Sequence, residues 1–284
     1  MPVLAAAGIP YFGATPLSPD DFTSPDSYPI ADGLPIDQGS ITYNLAKHGC
    51  KQIALIYDDT PQVVAGVPNT VKVAVAMGAE VVAKIVMPNT AVSAAAQVSQ
   101  AISAGATCIG DAALQNQTPA VILAAKQSGH SLLIGAATAV LPNSVLKDLG
   151  SNANGVLLSG PELIPTDTWN PQIRAMLAAT KTYEANSTQP YSPFAVLAWA
   201  GAELLFKQVI PAIKGDVTAS AVRAGIEALK DAQTGVTLPF TASAPAPLAN
   251  FPRLRNYGIF TWVIKNVVPV PEESGFVNLA PYLQ

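Results

Sequence analysis

The stretch IALIYDDTPQVVAG, from Ile53 to Gly66, sets two adjacent carboxylates, a hydroxyl and an amide where the chain changes character. Its apolar start reads as a buried strand, Asp58, Asp59 and Thr60 as a turn, and the residues from Gln62 onward as the opening of a helix. In a parallel α/β protein, ligands sit above such strand ends. Asp58 and Asp59 could hold a cation, but no third ligand converges on them by spacing. Aspartates at a strand end commonly form the turn, and Asp58 and Asp59 read as turn residues.

Catalytic signatures are missing. HExxH, CxxC, GxSxG and GxxxxGK[ST] do not occur, and Gly13 and Gly66 stand alone, not within a phosphate loop. His48 and His130 flank Gly49 and Gly129 at helix ends and read as surface or capping residues. Thr15, Ser18, Thr60, Thr138 and Ser159 supply hydroxyls near strand ends without a base to activate them. Hydroxyls of this kind orient a small solute in an apolar site, so the expectation is binding without catalysis, metal or cofactor.

Composition narrows the partners. The chain has 284 residues, 50% of them hydrophobic, only 12% charged, and a net charge of -4. The PRLR segment at 252–255 is the main basic cluster, too little to hold a nucleic acid. The apolar opening MPVLAAAGIPYF lacks a basic start and is broken by Gly8 and Pro10, so it is not read as a signal peptide or a membrane span. On that ground alone the chain as given would be cytoplasmic. Residues 194–213 come closest to membrane length but contain Glu203, Lys207 and Gln208. Cys50 and Cys108 are too few to staple a scaffold and read as free, buried thiols.

The elements that must position these groups follow an α/β rhythm. Residues 3–12 read as a short strand and 13–29, with four prolines, as a loop. Strands are expected at 53–57, 81–86, 106–110, 132–135 and 155–159, alternating with helices near 39–48, 68–78, 91–104, 117–129 and 142–149. A mostly parallel sheet covered by helices buries all of them. Beyond 160 come helices at 171–184 and 193–209, a third from Thr218 or Ser220 to Lys230, and two strands within 257–270. Those helices need a sheet to cover, so either they append to one domain or part of a second sheet lies outside the chain.

The ordered set AAAGIPYFGATPLSPDDF, FTSPD, HGCKQIALIYDDTPQ, AAAQVSQAISAGATCIG, AAKQSGHSLLIG and FPRLRNYGIFTWVIKN resembles the solute-binding proteins of branched-chain amino acid type ABC importers. These are type I periplasmic binding proteins, with two αβ lobes that close on a small ligand. The resemblance implies an α/β fold with a parallel sheet flanked by helices and a second, incomplete αβ lobe. It makes 1–37 the late part of the first lobe and a crossing, and 38–160 the second lobe. Residues 161–254 become the helical C-terminal part of the first lobe, and 255–284 a crossing and closing hairpin segment. About a hundred family residues, including an export signal, would lie outside the chain, and the family's periplasmic or cell-surface placement would require an upstream start.

By position, the resemblance places the ligand-carboxylate loop at Gly13, Ala14, Thr15, Leu17 and Ser18. It places the other wall at Asp59, Gln62, Leu114, Ala137 and Thr138. Aromatic residues are usual in the family where Gln62 and Leu114 stand, and an ammonium-pairing carboxylate near Ala137. With an unpaired buried ammonium so costly, the departures favour a less charged or more apolar solute. The implied partners are that solute and the membrane permease of an ABC importer. The alternative is a ligand-sensing regulatory domain acting through a partner protein. An incomplete lobe would also expose sheet edges, weaken solute binding and invite dimerisation.

Overall fold

The computed structural model describes residues 2–13, 15–184 and 192–284. It divides into a first unit, Met1–Gly33 with Pro161–Gly258 and Gln284, and a second unit, Leu34–Gly160 with Ile259–Leu283. In chain order the first unit opens with α1 (Pro2–Ala6), β1 (Tyr11–Phe12), α2 (Pro19–Thr23) and β2 (Ser27–Tyr28). The second unit follows with α3 (Leu34–Lys47), β3 (Gln52–Asp58), α4 (Pro61–Ala76), β4 (Glu80–Met87), α5 (Ala95–Ser103) and β5 (Cys108–Ala112). It continues through α6 (Thr118–Gln127), β6 (Leu133–Ala137), α7 (Asn143–Leu149) and β7 (Leu157–Gly160). The chain then supplies α8 (Pro171–Tyr183), α9 (Pro193–Leu204), α10 (Ile210–Ala212) and α11 (Ala219–Glu227) to the first unit. Finally β8 (Gly258–Lys265), β9 (Val268–Pro271) and β10 (Val277–Asn278) complete the sheet of the second.

That sheet has eight strands in the order β10-β8-β7-β6-β5-β3-β4, with β9 on β8. The pairs from β4 through β7 are parallel, whereas β8 runs antiparallel to β7 and to β9. The α/β class expected from the sequence is therefore the observed one. The hairpin read in 257–270 joins this sheet, which makes it mixed. Its turn is formed by Asn266 and Val267, both at positive φ (51° and 65°), the backbone that a two-residue hairpin turn requires.

The core forms where α3 meets the sheet. Gly110 and Gly135 pair across β5 and β6. A Cβ at Gly135 would lie 2.9 Å from Leu45 and 3.2 Å from Ile41, so α3 descends onto a floor without side chains. Its polar residues reach β7: Asn44 Nδ2 donates to the Leu158 carbonyl at 2.9 Å, and the Ser40 and Ser159 hydroxyls meet at 2.7 Å.

Helix α4 starts seven residues before the expected 68, at Pro61. Thr60 takes the N-cap position and Pro61 the first turn, where a missing N–H costs nothing. Pro68 lies inside this helix, not at its start. Burial of Val63, Gly66, Thr70, Val73 and Ala74 on one side outweighs the lost hydrogen bond.

In the first unit, residues 3–12 are not one strand. The run Pro2–Ala6 is helical and only Tyr11–Phe12 pairs, in parallel with β2. Alanines favour the helix, and Gly8 and Pro10 confine the extended segment. The supposed loop 13–29 likewise contains α2 and β2. Asn170 caps α8 by accepting from the Gln172 and Ile173 N–H groups, and Thr218 caps α11. Edge-on ring pairs Phe12–Phe240 and Phe22–Phe251 fill the core. Asn256 donates to the Ile30 and Leu238 carbonyls. An Arg223–Asp26 ion pair and a Tyr28–Glu227 hydrogen bond of 2.6 Å tie β2 to α11.

The cysteines correct the sequence reading. Both are buried as expected, but they are bonded to each other, with 6.3 Å between their Cα atoms. The α3–β3 loop carries Cys50 and β5 begins at Cys108, so parallel pairing of β3 with β5 brings the two together, a proximity invisible in their spacing of 58 residues. The bond closes a long loop in the unfolded chain. Reduction, or Cys108→Ser, is expected to lower the unfolding free energy by about 2–4 kcal/mol in urea titrations.

Candidate functional site

Strands β3, β5 and β6 are neighbours and end at Asp58, Ala112 and Ala137 on one edge of the second unit's sheet. From β3 the chain steps to β4 on one side and then to β5 on the other. The winding direction therefore reverses between β3 and β5, which opens the crevice where α/β sheets bind ligands. Asp59, Gln62, Leu114, Ala137 and Thr138 all fall on this edge.

Two buried carboxylates shape it. Asp58 Oδ1 accepts from the Thr60 N–H at 2.8 Å, which starts α4, so the turn role expected of Asp58 is the observed one. Asp111 repeats the device: its Oδ1 accepts from the Ala113 N–H at 3.0 Å. Both side chains are fully buried, and the second oxygen of Asp58 has no hydrogen-bond partner. Burial pushes the Asp111 carboxyl up to about 7 against the pull of the Ala113 N–H and the Thr118 hydroxyl.

Leu114 is held by Gln117, whose Oε1 accepts from the Leu114 N–H at 3.3 Å while its Nε2 donates to the Pro88 carbonyl at 2.7 Å. Asp59 is exposed and accepts from the Asn89 N–H at 3.3 Å, and Gln62 is exposed on the first turn of α4. Thr138 opens a short 3₁₀ turn, is buried, and has no partner for its hydroxyl. A Cβ at Gly160 would lie 2.3 Å from that hydroxyl, so Thr138 keeps its place only beside a glycine.

The first unit places Gly13, Thr15, Leu17 and Ser18 in one loop; Ala14 lies outside the described residues. Gly13 has φ 83°, and a Cβ there would fall 2.6 Å from the Gly201 Cα of α9. Loop and helix thus meet backbone to backbone. Thr15 carries a buried hydroxyl without a partner, and Leu17 is about half exposed. The N–H groups of Leu17 and Ser18 both donate to Asp21.

Sequence reasoning missed Asp111, Gln117, Gly160, Gly201 and Asp21. An acid inside the apolar run CIGDA was a usable signal for Asp111. The two glycines act through contacts distant in sequence. Among the described residues, no group of three His, Cys, Asp or Glu is placed to hold a metal ion.

The family profile described as "Periplasmic binding protein" matches residues 1–246. The chain belongs to the periplasmic binding protein family. No curated protein sequence matches it. Solved structures share its fold at low identity. One is a branched-chain amino acid ABC transporter protein from Thermus thermophilus with bound valine (15% identity, 99% of this chain and 75% of that one, TM-score 0.78). Another is the leucine-binding protein LivK from Thermotoga maritima (14%, 98% and 75%, TM-score 0.75). A third is a solute-binding protein from R. palustris in complex with benzoate (18%, 89% and 67%, TM-score 0.69).

The family is one of binding proteins, and the fold is the one those three structures share. The family match overturns the cytoplasmic placement read from the opening residues: proteins of this family work in the periplasm or outside the cell. The Cys50–Cys108 bond is of the type that persists in such oxidising surroundings.

Asp111 gives the site a pH signature. The folded protein retains its proton to about pH 7, whereas an ordinary aspartate releases it near 3.8. Its contribution is therefore complete below the lower value and is lost as pH rises through the upper one. Asp111→Asn keeps an acceptor for Ala113 and is expected to flatten the fall in stability between those limits by several kcal/mol, at most about 4, read from urea midpoints across pH.

Proposed function

We propose that this periplasmic binding protein captures a small, weakly polar or apolar organic solute at the carboxyl edge of the second unit's sheet and delivers it to the permease of an ABC importer. The observation that carries this reading is the buried, unpartnered Thr138 hydroxyl seated beside Gly160. A buried polar atom left unpaired is costly, and a solute that bonds it recovers that cost. Asp58 offers a second unpartnered oxygen on the same edge. Half-buried Ala112 and Leu114 make the neighbouring surface apolar over buried Ala113, Ala136 and Ala137.

Branched-chain amino acids suit this edge poorly. The residue that would pair an ammonium near position 137 is an alanine, and Gln62 and Leu114 stand where aromatic walls are usual in the resemblance described above. The benzoate complex is of a protein similar in fold whose solute is not an amino acid. Thr15, Leu17 and Ser18 are the first unit's candidates for solute contact.

Titration calorimetry with a library of small neutral organic solutes tests the reading. At least one solute is expected to bind and to be recovered chemically unchanged. Thr138→Val is expected to weaken it by about tenfold, the effect of one hydrogen bond to a buried group. Conversion of the solute to product, or an affinity untouched by Thr138→Val, would contradict the proposal.

A further inference from the structure

Gln38 is buried in α3, and neither its Oε1 nor its Nε2 has a hydrogen-bond partner among the described residues. A side-chain amide presents an acceptor and a donor, and each is costly to bury unpaired. An apolar residue of similar size would avoid that cost.

The rest of the helix fixes where this amide lies. Ile41 and Leu45 follow Gln38 by three and seven residues on the same stripe, and both lie over Gly135 of β6. Ser40 meets Ser159 near the carboxyl end of β7, whereas Cys50, beyond the end of α3, meets Cys108 at the start of β5. The helix therefore descends from the carboxyl edge of the sheet to its amino edge. Gln38 precedes Ile41 by almost one turn, which carries its amide from the middle of β6 towards the edge where that strand gives way to Thr138. The bond between Ser40 and Ser159 holds this turn of α3 against the sheet, so the amide sits on a rigid element. Helix and strand ends here, residues 34–46, 58–62, 111–118, 136–141 and 157–160, contain no Lys or Arg to neutralise an anion.

We infer that Gln38 is a specificity-determining residue of the second unit, whose amide pairs with a carboxamide or lactam group of the solute. This rests on the reading of the carboxyl edge as the place of solute capture. A neutral amide offers a carbonyl to Nε2 and an N–H to Oε1, so a single group of the solute satisfies both atoms. A carboxylate has no donor for Oε1 and an ammonium has no acceptor for Nε2. Each leaves half of Gln38 unpaired and brings a charge to bury. A ketone also fails Oε1, and a site that bonds an N–H rejects analogues that lack it.

Matched pairs in which carbon replaces the amide nitrogen test the inference: benzamide with acetophenone, isovaleramide with isobutyl methyl ketone, and butyrolactam with cyclopentanone. Each is titrated by calorimetry into wild type, Gln38→Leu and Gln38→Met, with melting curves to confirm that the variants are folded. Wild type is expected to bind the amide of at least one pair about tenfold or more tighter than its ketone, the scale of one hydrogen bond to a buried group. Both variants are expected to bring that ratio close to one by weakening the amide. The wild-type ratio tests the inference even where a variant does not fold. A wild-type ratio near or below one in every pair bound, an amide preference unmoved by the variants, or binding of other neutral solutes but of no amide, overturns the inference and leaves solute capture intact. No binding of the amides, the ketones or the neutral solute library by folded wild type overturns both.

Discussion

Helix α3 can lie where it does only because Gly110 and Gly135, paired across β5 and β6, leave the sheet bare beneath Ile41 and Leu45. Most of the second unit follows from that close approach. It brings Ser40 and Asn44 within reach of β7, so the helix fixes the far strand as well as the near ones. It also delivers Cys50 to the start of β5, where the disulfide secures the amino edge of the sheet. A methyl group at position 135 would crowd Leu45 and Ile41 and lift the helix, and close-packed interiors do not absorb such insertions without strain.

With the amino edge pinned, polar groups concentrate at the opposite one. Asp58 and Asp111 turn the chain out of adjacent strands, and Gln117 links the loop after β5 to the loop after β4. Buried polar groups usually find partners, and the solute binding we propose would give one to the Thr138 hydroxyl on this edge. The Thr138 hydroxyl occupies space that a Cβ at position 160 would take, much as Gly201 leaves no room for a Cβ at Gly13 in the first unit. In both places a glycine sets the position of a neighbouring candidate residue.

The sequence made the repeating architecture legible because it is written in local patterns. Apolar runs such as Ile53–Tyr57 identified strands, and Gly49 and Gly105 marked helix ends. Asp58 could be read as a turn former because its partner, Thr60, is two residues away. What stayed hidden depends on contacts between distant positions. Cys50 meets Cys108 only once β3 and β5 are paired, and Gly160 shows its purpose only beside Thr138. The opening segment misled for a different reason: apolarity alone does not separate a strand from an alanine-rich helix, and 3–12 is too short for periodicity to decide. Pro68 misled because tertiary burial of α4 overrides a local breaker.

We propose that solute is held at the carboxyl edge of the second unit's sheet. Backbone hydrogen exchange with and without a bound solute locates that contact. Binding at that edge slows exchange in 58–62, 112–118 and 137–141 and leaves 49–52 and 104–108 at the disulfide-bonded edge unchanged. Protection confined to the disulfide-bonded edge, or absent from both edges in the presence of saturating solute, would contradict it.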